Sequence, residues 1–165
     1  MQAQASSGHK DGIQVHSLAE LLECPPATGD LLKGAMECLR FGAGETVFRQ
    51  SEACRGLYLV VGGLFQRRTE RLETRLTLGP ARAGDLVELA AVLGDGLHTY
   101  TLTSQSDESA LMLLPIQALT LAFESYPALR MRLLEELARE VSRAYGVLCL
   151  RGALRPRRRP AAGLP

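Results

Sequence analysis

The sequence lacks several patterns that assign a chain to a common class of protein. Its four cysteines, Cys24, Cys38, Cys54 and Cys149, form no C-x-x-C pair and match no zinc-binding spacing. We therefore expect reduced thiols, because an iron–sulfur site needs cysteines that are clustered more closely. The sequence also has no nucleophile elbow, P-loop or H-E-x-x-H motif, and we do not expect an enzyme.

Long apolar runs and a uniform excess of one charge are missing as well. No run approaches the length of a membrane span, and the polar start MQAQASSGHKDG does not resemble a secretory signal. These absences predict a cytoplasmic protein with no membrane partner. The net charge is +1, and residues 151–165 hold five arginines and no acid, which leaves about −4 (1 − 5) for residues 1–150. A body of that charge is not typical of DNA-binding proteins.

The first half of the chain changes character near residue 40. Residues 1–12 are polar and predicted to be disordered. Two short helices are expected in residues 13–39, one with Ser17 as N-cap and Glu20 completing a capping box, the other capped by Asp30.

Short β-type runs separated by turns fill residues 40–115. Examples are GLYLVV, LFQRRTE and SALMLLP, each too short for an average helix. This pattern favours a sandwich, a jelly roll or a small barrel. One segment differs: LVELAAVLG is rich in Leu and Ala, which predicts one or two helical turns.

Helical patterns return after residue 115. A short amphipathic helix ends near Pro127, and a long helix is predicted over about 127–150, with Pro127 at its first position. Its heptad-like stripe predicts a parallel two-helix dimer, although covering the β domain is an alternative use. The residues of this predicted dimer stripe are Leu134, Leu137, Val141, Tyr145 and Leu148. The tail 151–165 is predicted to be disordered, with a basic arm for an acidic partner as the alternative.

Four stretches resemble the cyclic-nucleotide-binding domain, the effector half of the catabolite-activator/FNR family of bacterial regulators. FGAGETVFRQSE (41–52) resembles the family's G-E-x-V-F-x-Q-G, and LYLVVGGLF (57–65) its L-Y-x-V-x-x-G-x-V. AGDLVELAAVL (83–93) is similar to x-G-D-x-F-G-E-x-A-L-L, and YPALRMRLLEELAREV (126–141) to the helix entry and dimer helix. The resemblance covers about residues 18–150.

The resemblance implies a mixed α+β fold. This is a β-roll or jelly roll (a double-stranded β-helix) with short N-terminal helices and a long C-terminal helix. It also implies a homodimer that responds to a small-molecule effector. A helix-turn-helix domain would follow the long helix in a regulator of this family. Only about fifteen residues follow here, so direct DNA binding by this chain is not expected.

In this family, GDLVELAAVLGDGLHTY (84–100) corresponds to the phosphate-binding cassette. There a helix N-terminus and an Arg bind the phosphate, while a Glu ten residues before the Arg accepts a hydrogen bond from the ribose. Glu88 matches that Glu, His98 stands at the Arg, and Thr99 matches the small residue after it. Val87 replaces a Gly, where a positive φ disfavours β-branched side chains. Tyr100 replaces another small residue.

These departures predict a sensory domain with weak or lost cAMP binding, because a neutral His cannot supply the forked charge of an Arg. Ala144 and Tyr145 stand where some members present hydroxyls to the purine. We therefore expect Tyr100 or Tyr145 to fill part of the pocket. The predicted pocket residues are Leu86, Val87, Glu88, Leu89, His98, Thr99, Tyr100, Ala144 and Tyr145.

Two alternatives remain open from the residues alone. One is a genuine sensor of cAMP or cGMP in which His98 takes the place of the Arg. The other is a haem-based gas sensor with His98, His16 or Cys54 as axial ligand. No metal site is predicted, and a cyclic nucleotide is the main candidate for a bound small molecule.

Overall fold

The computed structural model describes residues 18–71 and 74–153, with side chains outside 71–77 and up to residue 146. Predictions for residues 1–12, His16, Ser17, the Leu148 side chain and the tail from residue 154 lie outside this part. The elements are α1 Leu18–Leu21, α2 Pro26–Ala35, β1 Glu37–Phe41, β2 Thr46–Phe48, β3 Gly56–Gly62, β4 Leu64–Arg71, β5 Thr74–Thr77, β6 Ala81–Arg82, β7 Leu86–Val87, α3 Leu89–Leu93, β8 Thr101–Ser104, β9 Ser109–Pro115, α4 Ile116–Ser125 and α5 Pro127–Ala153.

The strands form two antiparallel sheets that enclose an apolar core. One sheet has the order β1-β9-β3-β7, and the other has the order β2-β8-β4-β5 with β6 paired to β4. Phe65 and Leu102, both 0% exposed, lie between the sheets in a cluster that also contains Phe48, Tyr58 and Tyr100. We call this the roll cluster. The mixed α+β roll with a long C-terminal helix confirms the predicted fold class.

Strand β3 connects the roll to the helices because it is buried on both faces. Successive side chains of a strand point to opposite sides. Accordingly, Tyr58 and Val60 belong to the roll cluster, while Leu57 belongs to a second cluster beneath the helices. This helix-side cluster also holds Leu89, and Leu129 and Leu133 of α5. The long helix is therefore fastened to the roll at its N-terminal half.

The start of the chain departs from the prediction in one respect. Helix α2 begins at Pro26, so Asp30 lies inside it and is not its N-cap. Proline fits the first helical position because its φ is already helical and its missing N–H is not needed there. The predicted end of this helix is strand instead, since Cys38 pairs with Met112 and Leu39 with Leu111 of β9. Sheet pairing with a distant strand overrides the local helical pattern.

The later elements agree closely with the expected ones. Helix α4 occupies the predicted short helix, and α5 continues three residues past the predicted end. The segment LVELAAVLG is divided, because Leu86–Val87 pairs with Tyr58 and Leu59 of β3 before α3 begins. Cys24, Cys38 and Cys54 are free thiols. Across the described residues, each helix is too short or too polar to cross a bilayer.

Candidate functional site

A cavity of about 860 Å³ lies between the roll and the inner face of α5. This size falls within the range of small-molecule sites, which is about 300–1,000 Å³. Its walls come from the end of α1 and the residues after it, the turn before α3, the segment just before β8, strand β4 and α5. Six of the predicted pocket residues line it: Leu86, Glu88, Leu89, Thr99, Tyr100 and Ala144.

Three predicted pocket residues lie elsewhere. Val87 is 1% exposed and faces the roll cluster. His98 is 3% exposed and does not belong to the cavity wall. Tyr145 is 69% exposed on the outer side of α5, so it does not fill the pocket. Tyr100, which is 7% exposed, is the tyrosine that occupies space at the cavity wall.

The backbone of the cassette turn corrects the expectation for Val87. Val87 is an ordinary strand residue, and the left-handed residue is Glu88, with φ 76° and ψ 26°. Glu88 precedes α3 as its N-cap residue without a side-chain capping bond. A left-handed conformation is costly for a residue with a Cβ, so the surroundings of Glu88 must hold it there.

Glu88 is buried, at 2% exposure, and its carboxylate lies beside His98 and Thr99, which precede β8. Thr99 donates to it twice, from its backbone N–H to Oε2 at 3.3 Å and from its hydroxyl to Oε1 at 3.4 Å. Burial raises the pKa of Glu88 to about 7, and the hydrogen bonds from Thr99 act in the opposite direction. Thr99, a residue of the cavity wall, therefore holds the Glu88 carboxylate in place.

His98 is an interior residue, not the surface or phosphate-facing histidine that the sequence left open. Its ring stacks on Phe48 with centroids 3.7 Å apart and planes 3° apart. Its Nδ1 lies 3.2 Å from Oε2 of Glu88. Burial lowers the pKa of His98, and the negative charge of Glu52 opposes this shift. Burial thus disfavours the charged imidazole, and the ring lies outside the cavity wall.

Arg67 of β4 is a cavity residue that the sequence analysis missed. Its Nη1 donates to Oε1 of Glu140 on α5 at 2.9 Å, and its Nε donates to the carbonyl of Gly79 at 2.7 Å. The guanidinium carbon lies 5.8 Å from the ring centroid of Tyr100. Arg67 thus connects the roll to α5 across the cavity. The sequence gives no local signal for it. LFQRRTE contains the adjacent Arg67 and Arg68, which point to opposite faces of the sheet, and the pattern does not show which of them faces the cavity.

The cavity does not suit haem as the sequence alternative proposed. An axial ligand has to come from His, Cys, Met or Tyr. Among the described residues, the wall contains no His, Cys or Met, and its Tyr100 is packed into the roll cluster. Cys54 and His98 lie in the closed interior behind the cassette turn. The described cavity wall therefore offers haem no available axial ligand.

Two rolled antiparallel sheets, a turn that leads into a short helix, and a long helix across a cavity define a class of β-roll domains. Within that class, the chain belongs to the cyclic nucleotide-binding domain family. The family model matches residues 38–126, which is more than half of the chain. Among curated proteins, no sequence matches it.

Solved structures support the same fold. The catabolite activator protein of Thermus thermophilus superposes with a TM-score of 0.66 and 21% identity, over 86% of this chain and 63% of that protein. The sensor domain of the transcriptional regulator DNR from Pseudomonas aeruginosa gives a TM-score of 0.65 and 20% identity, over 79% and 87% of the two chains. The chain therefore spans less than two thirds of the first of these regulators.

A eukaryotic regulatory domain has the same fold. The regulatory domain of PKA from Toxoplasma gondii, solved with cAMP, gives a TM-score of 0.58 and 19% identity, over 71% of this chain and 46% of that one. The family model and these structures confirm the sequence-based recognition of the catabolite-activator/FNR type.

Proposed function

We propose that this chain is a non-catalytic sensory domain of a catabolite-activator/FNR-type regulator, with weak or no affinity for cAMP. The main observation in support of this proposal is which residues the cassette contributes to the cavity wall. The cassette contributes Glu88, Thr99 and Tyr100 to the described wall and no basic residue, whereas the arginines of the wall, Arg67, Arg132, Arg139 and Arg143, come from β4 and α5. A phosphate bound at the cassette therefore lacks the charge-assisted partner that the family cassette itself supplies, a loss on the order of 2–5 kcal/mol for buried charge pairs.

The backbone supports a one-residue shift in the match to the family cassette. The family has a glycine before its ribose-binding Glu, and here Glu88 adopts the left-handed conformation that suits a glycine. Leu89 then takes the ribose position, and Thr99, ten residues later, takes the phosphate position. Thr99 lines the cavity and His98 does not, as this shift requires. Both polar groups of a cAMP site are then missing.

We further propose that occupancy of the cavity is signalled through Arg67. In the described structure its guanidinium is shared by Glu140 of α5, the carbonyl of Gly79 and the face of Tyr100. An anionic ligand in the cavity would compete with Glu140 for Arg67. Because that ion pair joins the roll to α5, its loss would change the pose of the helix, which is a two-state element biased by a ligand.

The outer face of α5 supports the predicted dimerisation. Leu134, Val141 and Tyr145 are exposed, at 37%, 59% and 69%. Met131, at 59%, and the exposed Ala138 continue the same alternating three- and four-residue spacing. Leu137 differs from the prediction, because it packs against the helix-side cluster and lines the cavity. We propose that the exposed stripe pairs with a second copy of the chain.

Calorimetric titration of cAMP into the full chain tests the proposed loss of binding. We expect a Kd weaker than about 1 mM, or no detectable heat. The shift in the cassette predicts that Thr99→Arg improves the affinity by at least about tenfold, because it places a guanidinium in the cavity. The matched variant Thr99→Gln should not improve it.

The competing assignment, in which His98 and not Thr99 takes the place of the family's Arg, is tested by His98→Arg. Since His98 is buried against Phe48, we expect this variant to lose stability without gaining cAMP affinity. Low-micromolar binding of cAMP by the unmodified chain would contradict the proposed loss of function. A gain of affinity in His98→Arg and none in Thr99→Arg would contradict the shifted cassette.

A further inference from the structure

Three potential metal ligands meet behind the cassette turn. Cys54, Glu88 and His98 each offer one donor atom, and these atoms all lie within 4.8 Å of one another. All three side chains are largely buried, at 9%, 2% and 3% exposure. They come from three separate segments: the loop between β2 and β3, the turn before α3, and the loop before β8. The cluster is distinct from the cavity, whose wall includes Glu88 alone of the three.

Within the part of the chain that the structure describes, the nitrogen Nδ1 of His98 has no hydrogen-bond partner. It lies 3.2 Å from Oε2 of Glu88, but the direction of the ring nitrogen does not suit a hydrogen bond to that oxygen. The side chains of His98 and Glu88 are 1% and 0% exposed, so bulk water does not reach them. A buried polar atom left unpaired costs about 1–3 kcal/mol and calls for a partner that satisfies it. A cation between Nδ1 and Oε2 satisfies the nitrogen and adds a second partner to Oε2, which already accepts from the Thr99 N–H.

Backbone hydrogen bonds hold two of the three ligands, Cys54 and His98, in place. Ser51 N–H donates to the carbonyl of His98 at 2.8 Å, and His98 N–H donates to the carbonyl of Glu52 at 2.9 Å. Cys54 N–H donates to the carbonyl of Gly96 at 2.8 Å. The ring of His98 is further fixed by its stack on Phe48. Ligands presented by rigid, paired segments favour a defined coordination geometry.

We propose that Cys54, Glu88 and His98 bind a divalent transition-metal ion of the Zn²⁺ class. A thiolate, an imidazole nitrogen and a carboxylate are the three ligand types that Zn²⁺ uses in proteins, whereas Mg²⁺ and Ca²⁺ prefer oxygen alone. Coordination by Cys54 replaces the bond that its thiol donates to the carbonyl of Gly56 at 3.2 Å. The thiol proton leaves to solvent, and the thiolate forms the bond to the metal.

The metal would connect the loop before β3 to the turn that forms the cavity wall. Glu88 belongs to both places, because its Oε2 accepts from the Thr99 N–H and also lies 3.2 Å from Nδ1 of His98, while its Oε1 accepts from the Thr99 hydroxyl. A bound ion would therefore fix the turn before α3 and the orientation of Glu88. This inference goes beyond the proposed sensory function and does not depend on whether the cavity binds cAMP.

Titration of the chelator-treated full chain with Co²⁺ tests the site directly. We expect one Co²⁺ per chain, a thiolate-to-cobalt charge-transfer band in the near ultraviolet, and displacement of the band by Zn²⁺. Cys54→Ser preserves the size of the side chain and a hydroxyl that can donate to Gly56, so it is suited to keep the fold. It should abolish the band and weaken Zn²⁺ binding by at least about tenfold.

The control is a variant in which the other cysteines are replaced, Cys24→Ser, Cys38→Ser and Cys149→Ser together. This variant should keep the band and the stoichiometry. Absence of the band in the unmodified chain would overturn the proposal, as would a band that persists in Cys54→Ser. Near-ultraviolet circular dichroism of each variant establishes that it is folded, and His98→Gln, which should also lose the site, provides a second test that does not alter a thiol.

Discussion

The two faces of α5 carry similar apolar side chains in opposite surroundings. Leu133 is 3% exposed and belongs to the helix-side cluster, while its neighbour Leu134 is 37% exposed. Leu129 and Leu137 continue the inner face, while the exposed Val141 lies at the border between the two faces, where it also lines the edge of the cavity. The predicted stripe combined residues of both faces, such as Leu137 from the inner face and Leu134 from the outer face. Two apolar stripes lie side by side on this helix, and a spacing of three and four residues does not separate them.

A helix with two apolar stripes needs two partners. The roll and the shorter helices cover the inner stripe of α5. The outer stripe has no apolar cover within the part of the chain that the structure describes. A helix that served only to cover the roll would carry polar residues on its outer face. The difference between the faces is therefore the basis for the proposed dimer, and six substitutions on α5 test it.

The largest expected effect is on the inner face. Leu133→Ala should lower the free energy of unfolding by about 2–5 kcal/mol, because it removes buried methyl groups and leaves a cavity. Leu134→Ala, its matched control, should cost less than about 1 kcal/mol at concentrations where the chain is monomeric. Urea unfolding followed by far-ultraviolet circular dichroism measures both. Equal losses would show that the two faces do not differ as described.

The next effect concerns the outer face and association. Val141→Glu should weaken dimerisation by at least about tenfold, or about 1.4 kcal/mol, because it places a charge in the apolar stripe. The fold of the protomer should be unchanged. Sedimentation equilibrium at several concentrations gives the dissociation constant, with Ser142→Glu as the neighbouring exposed control. An unmodified chain that stays monomeric throughout would contradict the dimer.

A smaller effect is expected where the inner face meets the cavity. Glu140→Gln removes the charge that pairs with Arg67, whose side chain is 19% exposed against 34% for Glu140. We expect a loss of about 0.5–1 kcal/mol in the free energy of unfolding. A double-mutant cycle with Arg67→Gln should give a coupling energy of similar size. If the effects of the two substitutions are additive, Arg67 and Glu140 do not couple the roll to α5.

The smallest effect is expected at the solvent-facing ion pairs. Glu136 pairs with Arg139 at 3.2 Å and with Arg143 at 2.9 Å, and the two arginines are 66% and 70% exposed. Glu136→Gln should change the free energy of unfolding by no more than about 0.5 kcal/mol, because exposed pairs are screened by water and salt. If Glu136→Gln lowered the free energy of unfolding as much as Leu133→Ala, the buried contacts of α5 would not be its main source of stability.

Much of the fold could be predicted because its determinants are local. The turns between short β-type runs, Pro127 at the start of α5 and the two- and three-to-four-residue periodicities all follow from neighbouring residues. Strand β1 could not be predicted in this way. Its residues continue a helical pattern, and only pairing of Cys38 and Leu39 with β9, more than seventy positions later, makes them a strand.

The candidate site could be located from the sequence but not resolved in detail. The resemblance pointed to the turn before α3, and Glu88, Thr99 and Tyr100 do line the cavity. The backbone conformation of Glu88, with φ 76°, was not predictable, because the family pattern places its glycine one residue earlier. The environment of His98 was hidden as well, since it depends on Phe48, which is fifty positions away.

The sequence by itself determined the class of fold, the long final helix and the position of the cassette turn. These features depend on short-range spacing and on backbone preferences that each residue carries with it. The tertiary structure alone decided that Arg67 reaches Glu140, that His98 turns away from the cavity toward Cys54, and that Leu133 and Leu134 face different surroundings. Such contacts join residues far apart in the chain, and only the packing of the sheets and helices brings them within reach.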